Sequence, residues 1–247
     1  MRLKRYLTLL FLLMPPVAFA QVFDVPSADS TPTRSLLIPV ENPKATVLLF
    51  IGGSGMLRLS ASGSTSHGHT FVRSKEYWKK YGINAVLVDS PNDLGNAVRG
   101  HQRNSDDHIE RVMSVAQFYQ RKMNHPIWIF GHSMGTSTVS AIANKKPNLK
   151  DVIAGLIVAG THRGETIPET QMLPVMAIHH IKEGCAATPV RASEEIIKSR
   201  PKILRSELFL IDGGSDEGHA CLSKAYHGFN GTEDKLIEAA ARFILAN

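Results

Sequence analysis

The sequence predicts an α/β fold: one domain on a mostly parallel, doubly wound sheet. Three observations predict it. Short apolar runs alternate with segments of helical periodicity along the chain. One such run, Ile127-Trp-Ile-Phe130, leads straight into Gly131-His-Ser-Met-Gly135, and a small-residue segment without glycine or proline follows (136–145). The length, 247 residues, suits one large core.

The first twenty residues stand apart. Arg2, Lys4 and Arg5 make a basic start, Tyr6 to Met14 is apolar, and Ala18-Phe19-Ala20 is a small-x-small cleavage site. This reads as a secretory signal peptide (1–20) cleaved before Gln21, with residues 21–247 as the folded domain. The apolar run is too short to span a bilayer comfortably, and Pro15-Pro16 interrupts it. Three of the 28 Lys and Arg lie in that segment and none of the 22 acids do, which leaves 25 against 22, or +3. Such a balance, without a basic cluster, argues against a nucleic-acid partner. A periplasmic or secreted protein with no stable membrane anchor after cleavage is expected. In that oxidising compartment Cys185 and Cys221, the only cysteines, are expected to pair.

The elements follow in order. Residues 21–34, with Pro26 and Pro32, read as irregular. Ser35–Val40 and Ala45–Ile51 read as strands that pair in a hairpin across Glu41–Lys44. Gly52-Gly-Ser-Gly55 ends the second, and a polar loop runs to about His69. Phe71–Tyr81 reads as a helix stopped by Gly82, and Ile83–Asp89 as a strand. Ser105 caps a helix with Asp106 and Asp107 in its first turn. Strands are expected at 126–131, 152–159, 174–179 and 207–211, and helices at 136–145, 192–199 and 232–245. In a parallel sheet, ligands sit beyond the carboxyl ends of the strands, where the chemical candidates fall.

Gly-x-Ser-x-Gly between a strand and a helix is the nucleophile-elbow pattern. The glycines remove side chains that would collide at the tight turn, and the hydroxyl of Ser133 stands exposed near the positive end of the helix dipole. A serine needs a base, and the base needs an acid to hold its ring. The chain order expected downstream is acid, then histidine. His227, on a short turn before the last helix, is preferred over His219. Glu183, just past a strand end, is preferred over Asp212 and Asp216; Asp89 precedes Ser133 and would suit only an altered arrangement. Cys185 lies two residues after Glu183 and Cys221 six before His227, so a bond between them would clamp the acid loop to the histidine loop. The oxyanion donors expected are the amides of Met134 and Gly53, the latter favoured over Ser54.

These residues resemble the α/β-hydrolase superfamily. The resemblance runs from residue 35 to the final helix and is carried by Phe50-Ile-Gly-Gly-Ser-Gly, Gly131-His-Ser-Met-Gly135, and His179-His180 followed by Glu183-Gly-Cys185. The Cys221…His227-Gly-Phe ending is similar to small exported bacterial hydrolases without a cap domain. The resemblance implies Ser133, Glu183 and His227 as nucleophile, acid and base. That subgroup more often has aspartate where Glu183 stands; glutamate serves in some superfamily members.

No cofactor is called for. Adjacent His179 and His180 on a strand point to opposite faces, which argues against a shared metal ion. Residues 160–173 leave no room for a large cap, so an open site is expected, with 54–70 as a small flap carrying His67 and His69. The function expected is hydrolysis of a small-molecule ester or thioester through an acyl-enzyme. A peptidase or acyltransferase with the same triad, and a non-catalytic exported binding protein, are the alternatives.

Overall fold

The computed structural model describes residues 19–27, 30–90 and 100–246. The signal-peptide expectation therefore lies almost wholly outside the described residues. Among those described, no helix is long and apolar enough to cross a membrane.

Eight strands form one sheet: β1 (Gln21–Ser27), β2 (Ser30–Ile38), β3 (Ala45–Phe50), β4 (Ile83–Val88), β5 (Ile127–His132), β6 (Gly155–Ala159), β7 (Val175–His180) and β8 (Ser206–Ile211). Their order is β1-β2-β4-β3-β5-β6-β7-β8. From β4 through β8 neighbours run parallel, while β1–β2 and β2–β4 are antiparallel.

Two expectations are corrected here. Residues 21–27 and 30–34 are not irregular: they supply β1 and much of β2. Proline is tolerated because β1 is an edge strand whose register shifts between Val25 and Ser27, around Pro26. Nor do β2 and β3 form a hairpin, because β4 lies between them. Every residue of β3 is buried, as a central strand covered on both faces requires, and both its edges are taken by parallel partners. An apolar run shows that a strand is buried; it does not name its neighbour.

The helices are α1 (Thr70–Arg73), α2 (Gly100–Arg103), α3 (Asp106–Met123), α4 (Gly135–Lys145), α5 (Val190–Lys198) and α6 (Glu233–Leu245). The helix expected over 71–81 is instead the single turn α1 and a 3-10 turn at Tyr77–Tyr81. Between them the Ser74 hydroxyl donates back to the Thr70 carbonyl (2.8 Å), a local bond that competes with continued helix. Ser105 caps α3 as expected, accepting from the His108 amide.

Alternation within the strands divides the core. Val47 and Leu49 of β3 pack with Trp78, Phe71 and the apolar side of α6, whereas Leu48 and Phe50 pack with α3 and α4. Residues 160–174, between β6 and β7, contain no helix or strand. The carboxyl ends of β3, β5, β6 and β7 therefore converge on one edge without a folded cap inserted there.

Candidate active site

The tight junction between β5 and α4 is built by close backbone approach. A Cβ on Gly131 would lie 2.2 Å from the Gly135 carbonyl oxygen, and one on Gly135 would lie 2.1 Å from the Phe50 carbonyl oxygen on β3. Only glycine fits either position. Between them Ser133 has φ of 55°, a left-handed conformation costly for any residue with a Cβ. It is held by the Ser133 amide donating to Ala159 at the end of β6 (2.9 Å) and by the Thr136 amide and hydroxyl donating to the Ser133 carbonyl. The Ser133 side chain is partly exposed and its hydroxyl makes no hydrogen bond among the described residues.

Across the strand ends stands His227, buried in a 3-10 turn (Tyr226–Gly228). Its Nδ1 lies 2.9 Å from Glu183 Oε2 and 3.1 Å from Thr188 Oγ1. A carboxylate only accepts, so Nδ1 carries the proton and Nε2 is left bare, with no hydrogen bond among the described residues. A Cβ on Gly160, one residue after Ala159, would sit 3.3 Å from His227 Cε1, so the elbow's neighbour also touches this ring.

Glu183 has a side chain only 1% exposed. Burial pushes its carboxyl upward. Hydrogen bonds from His179 and His227, with the Cys185 amide donating to Oε1 (2.7 Å), outweigh that and hold it down at about 2. His179 Nε2 reaches Oε2 at 3.5 Å while donating to the Thr188 carbonyl at 2.9 Å. The rival acids are elsewhere. Asp212 is exposed and 3.8 Å from Lys182, and Asp216 is exposed. Asp89 accepts the amides of Leu57 and Leu59 (2.6 and 2.8 Å), which pins the loop after β3. His219 is exposed and faces the Cys221 amide.

Cys185 and Cys221 are joined, with Cα atoms 4.7 Å apart. The bond ties the acid's turn to the segment entering the histidine turn. His179 and His180 do point to opposite faces: His179 meets Ser193 and Thr188, and His180 donates to Gly213 and stacks on Tyr226 at 4.5 Å.

Two histidines outside the expected set support the His227 turn from below. Phe71 N–H donates to His69 Nδ1 and Gly52 N–H to His69 Nε2, both at 3.1 Å. That Nε2 also lies 2.8 Å from His132 Nδ1, and His132 Nε2 donates to the His227 carbonyl (2.8 Å). Burial is the main cause that depresses both, His69 well below its usual range and His132 to about 3. His69, expected on a flap, is thus buried in the site's foundation. His132 is the variable residue of Gly-x-Ser-x-Gly, and only its place in that motif could have singled it out.

The Gly52–Gly55 loop lies against the serine: a Cβ on Gly52 would be 2.9 Å from Ser133 Cβ. Neither the Gly53 nor the Met134 amide has an acceptor among the described residues. Gly53 is exposed with φ of 58°, and Met134 precedes the first turn of α4, where the helix dipole is positive.

The chain has the α/β-hydrolase fold. Solved structures match it over nearly its whole length. A dienelactone hydrolase from Anabaena variabilis has TM-score 0.62 at 12% identity, covering 92% of this chain and 97% of that one. An esterase domain from a Rhodothermus marinus protein has TM-score 0.61 at 11% identity, covering 92% and 100%. A lidless α/β serine hydrolase from Xanthomonas campestris has TM-score 0.57 at 15% identity, covering 94% and 95%. No protein-family model and no curated protein matches the sequence.

Proposed function

We propose that this chain is an exported serine hydrolase that cleaves a small-molecule ester or thioester through an acyl-enzyme on Ser133. One observation carries the reading: a histidine with Nδ1 tied to a buried carboxylate and Nε2 unengaged, set against Gly160, whose neighbour Ala159 accepts the amide of an elbow serine with an unengaged hydroxyl. His227 Nε2 takes the Ser133 proton as Oγ attacks the acyl carbonyl. The oxyanion forms against the Met134 and Gly53 amides. The proton passes to the departing alcohol or thiol, and water attacks the acyl-enzyme by the same route. Glu183 holds the ring in its tautomer and stabilises the imidazolium. The Ser133–His227 hydrogen bond forms when substrate binds, since catalytic hydrogen bonds are often absent or long without it. The disulfide suits an oxidising compartment and so supports export.

The test is a fluorophosphonate probe read by mass spectrometry, with a panel of esters and thioesters graded by acyl length. Labelling is expected at Ser133, and Ser133→Ala is expected to lose it together with on the order of 10⁴-fold or more of turnover. A folded wild type that is neither labelled nor active on the panel overturns the proposal.

A further inference from the structure

Arg103 is buried at 4% exposure, and no carboxylate among the described residues pairs with it. Its partners are neutral. Nη2 donates to the carbonyls of Ile51 (2.9 Å) and Gly53 (3.0 Å), and Nη1 to Thr138 Oγ1 (3.1 Å). The two carbonyls belong to the peptide units on either side of the one that carries the Gly53 N–H. That central unit is held as well, because its Gly52 carbonyl accepts the Gly55 amide (3.2 Å). In a trans peptide the N–H points opposite the C=O. The Arg103 bond to Ile51 therefore orients the Gly52 amide, which donates to His69 Nε2 (3.1 Å), and its bond to Gly53 orients the Ser54 amide. The Gly53 amide between them is set by the Gly55–Gly52 bond that these two anchored units flank. Thr138 belongs to α4, the helix that follows Ser133. One guanidinium therefore bridges the nucleophile's helix to the loop that would hold the oxyanion. Room for it is built in: a Cβ on Gly55 would lie 2.6 Å from Nη2.

We propose that Arg103 is a positioning residue for the oxyanion hole, fixing the Gly52–Gly55 loop against α4 and polarising its peptides toward the developing negative charge. This rests on the serine-hydrolase reading above. Holding a loop needs only donors, which a neutral amide supplies. A buried charge with only neutral partners among the described residues is expensive, and it stabilises a nearby oxyanion more in low dielectric than it would in water. Burial lowers the guanidinium's pKa only to about 10, so it stays charged at neutral pH.

The experiment uses Arg103→Gln, Arg103→Met and Thr138→Val in the full mature chain, each checked for folding by circular dichroism. Wild type is first labelled at Ser133 with the fluorophosphonate. Turnover of a short-chain aryl ester and inhibition by an alkyl boronic acid, a tetrahedral oxyanion mimic, are then measured. The Arg103 variants are expected to lose about 10²–10³-fold in kcat with KM little changed, and boronate affinity is expected to fall with kcat/KM. Thr138→Val is expected to lose about tenfold in the same pattern, since it frees one end of the bridge. A folded Arg103→Gln with wild-type kcat, a loss confined to KM, or undiminished boronate affinity overturns the proposal. If the Arg103 variants do not fold, Thr138→Val decides by the same three readings. An unlabelled, inactive wild type defeats the hydrolase reading and this inference with it; a labelled wild type with unaffected variants defeats this inference alone.

Discussion

Around Ser133 the chain is held by backbone meeting backbone. Gly131, Gly135 and Gly52 each sit where a Cβ would strike a neighbour within 3 Å, and all three belong to short glycine-rich stretches visible in the sequence. Around His227 the means are different. The turn is positioned by Glu183 from 44 residues away, by His132 from 95, and by a disulfide across 36. Arg73 adds bonds to the Ser223 and Gly228 carbonyls while pairing with Glu233. The first region is a local conformation that tolerates no added atom. The second is a set of long-range side-chain links, each removable without blocking the others. The difference teaches where each half of the site is vulnerable: the elbow to sterics, the histidine turn to chemistry.

The largest effect that tests this contrast is at the elbow. Gly131→Ala or Gly135→Ala places a methyl against a carbonyl oxygen, and a loss of roughly 3 kcal/mol in stability with complete loss of activity is expected. Denaturant unfolding checks it. A variant as stable as wild type would show that the close approach relaxes easily.

Glu183→Gln comes next and sharpens the other side. The fold is expected to persist while kcat falls on the order of 10²–10⁴-fold, because an amide permits the wrong tautomer of His227. Steady-state kinetics and a melting curve separate the two effects. Loss of fold with loss of activity would move Glu183 into the structural class with the glycines.

Cutting the disulfide is third. In the chain-entropy model a loop of this length is worth roughly 3–4 kcal/mol, expressed mainly through the unfolded state. Reductant or a paired Cys185→Ser, Cys221→Ser variant is expected to lower the melting temperature and part of the activity, yet leave Ser133 open to the fluorophosphonate. If both thiols label freely in the native, non-reduced protein, the clamp is absent.

Acid gives the smallest and most graded effect. His132 ionises near 6.5 when unfolded and at about 3 when folded, and buried His108 behaves alike. Between those values the unfolded chain binds more protons, so the stability that depends on neutral rings is complete above about pH 6.5 and lost as pH falls toward 3. Glu183, depressed from 4.5 to about 2, acts in the same direction over a lower window. The melting temperature is expected to begin falling below about pH 6.5, before carboxylates protonate. A flat profile down to about pH 5 would show that these histidines are not held neutral.

Much of this was legible beforehand, for identifiable reasons. Strands β3 through β8, four of the helices and the elbow were readable because periodicity and glycine sterics act over a few residues. The Glu183–His227 contact and the disulfide were within reach because strand ends of a parallel sheet gather on one edge. Four other residues gave no usable signal. Thr188 beside His227 and Arg103 behind the Gly52–Gly55 loop sit in ordinary polar stretches. His69 read as part of a flap, and His132 as filler in a motif.

Left to itself, the order of residues determines which segments are buried, where the backbone must pass close to itself, and which groups have reactive chemistry. It does not determine who stands beside whom. The placing of β4 between β2 and β3, the neutral histidine chain under residue 227, and the bridging guanidinium each depend on partners dozens of residues apart. Only packing one sheet face against α3 and α4 and the other against α6 selects among such pairings, because hydrogen-bond partners of distant segments are decided by the burial they share.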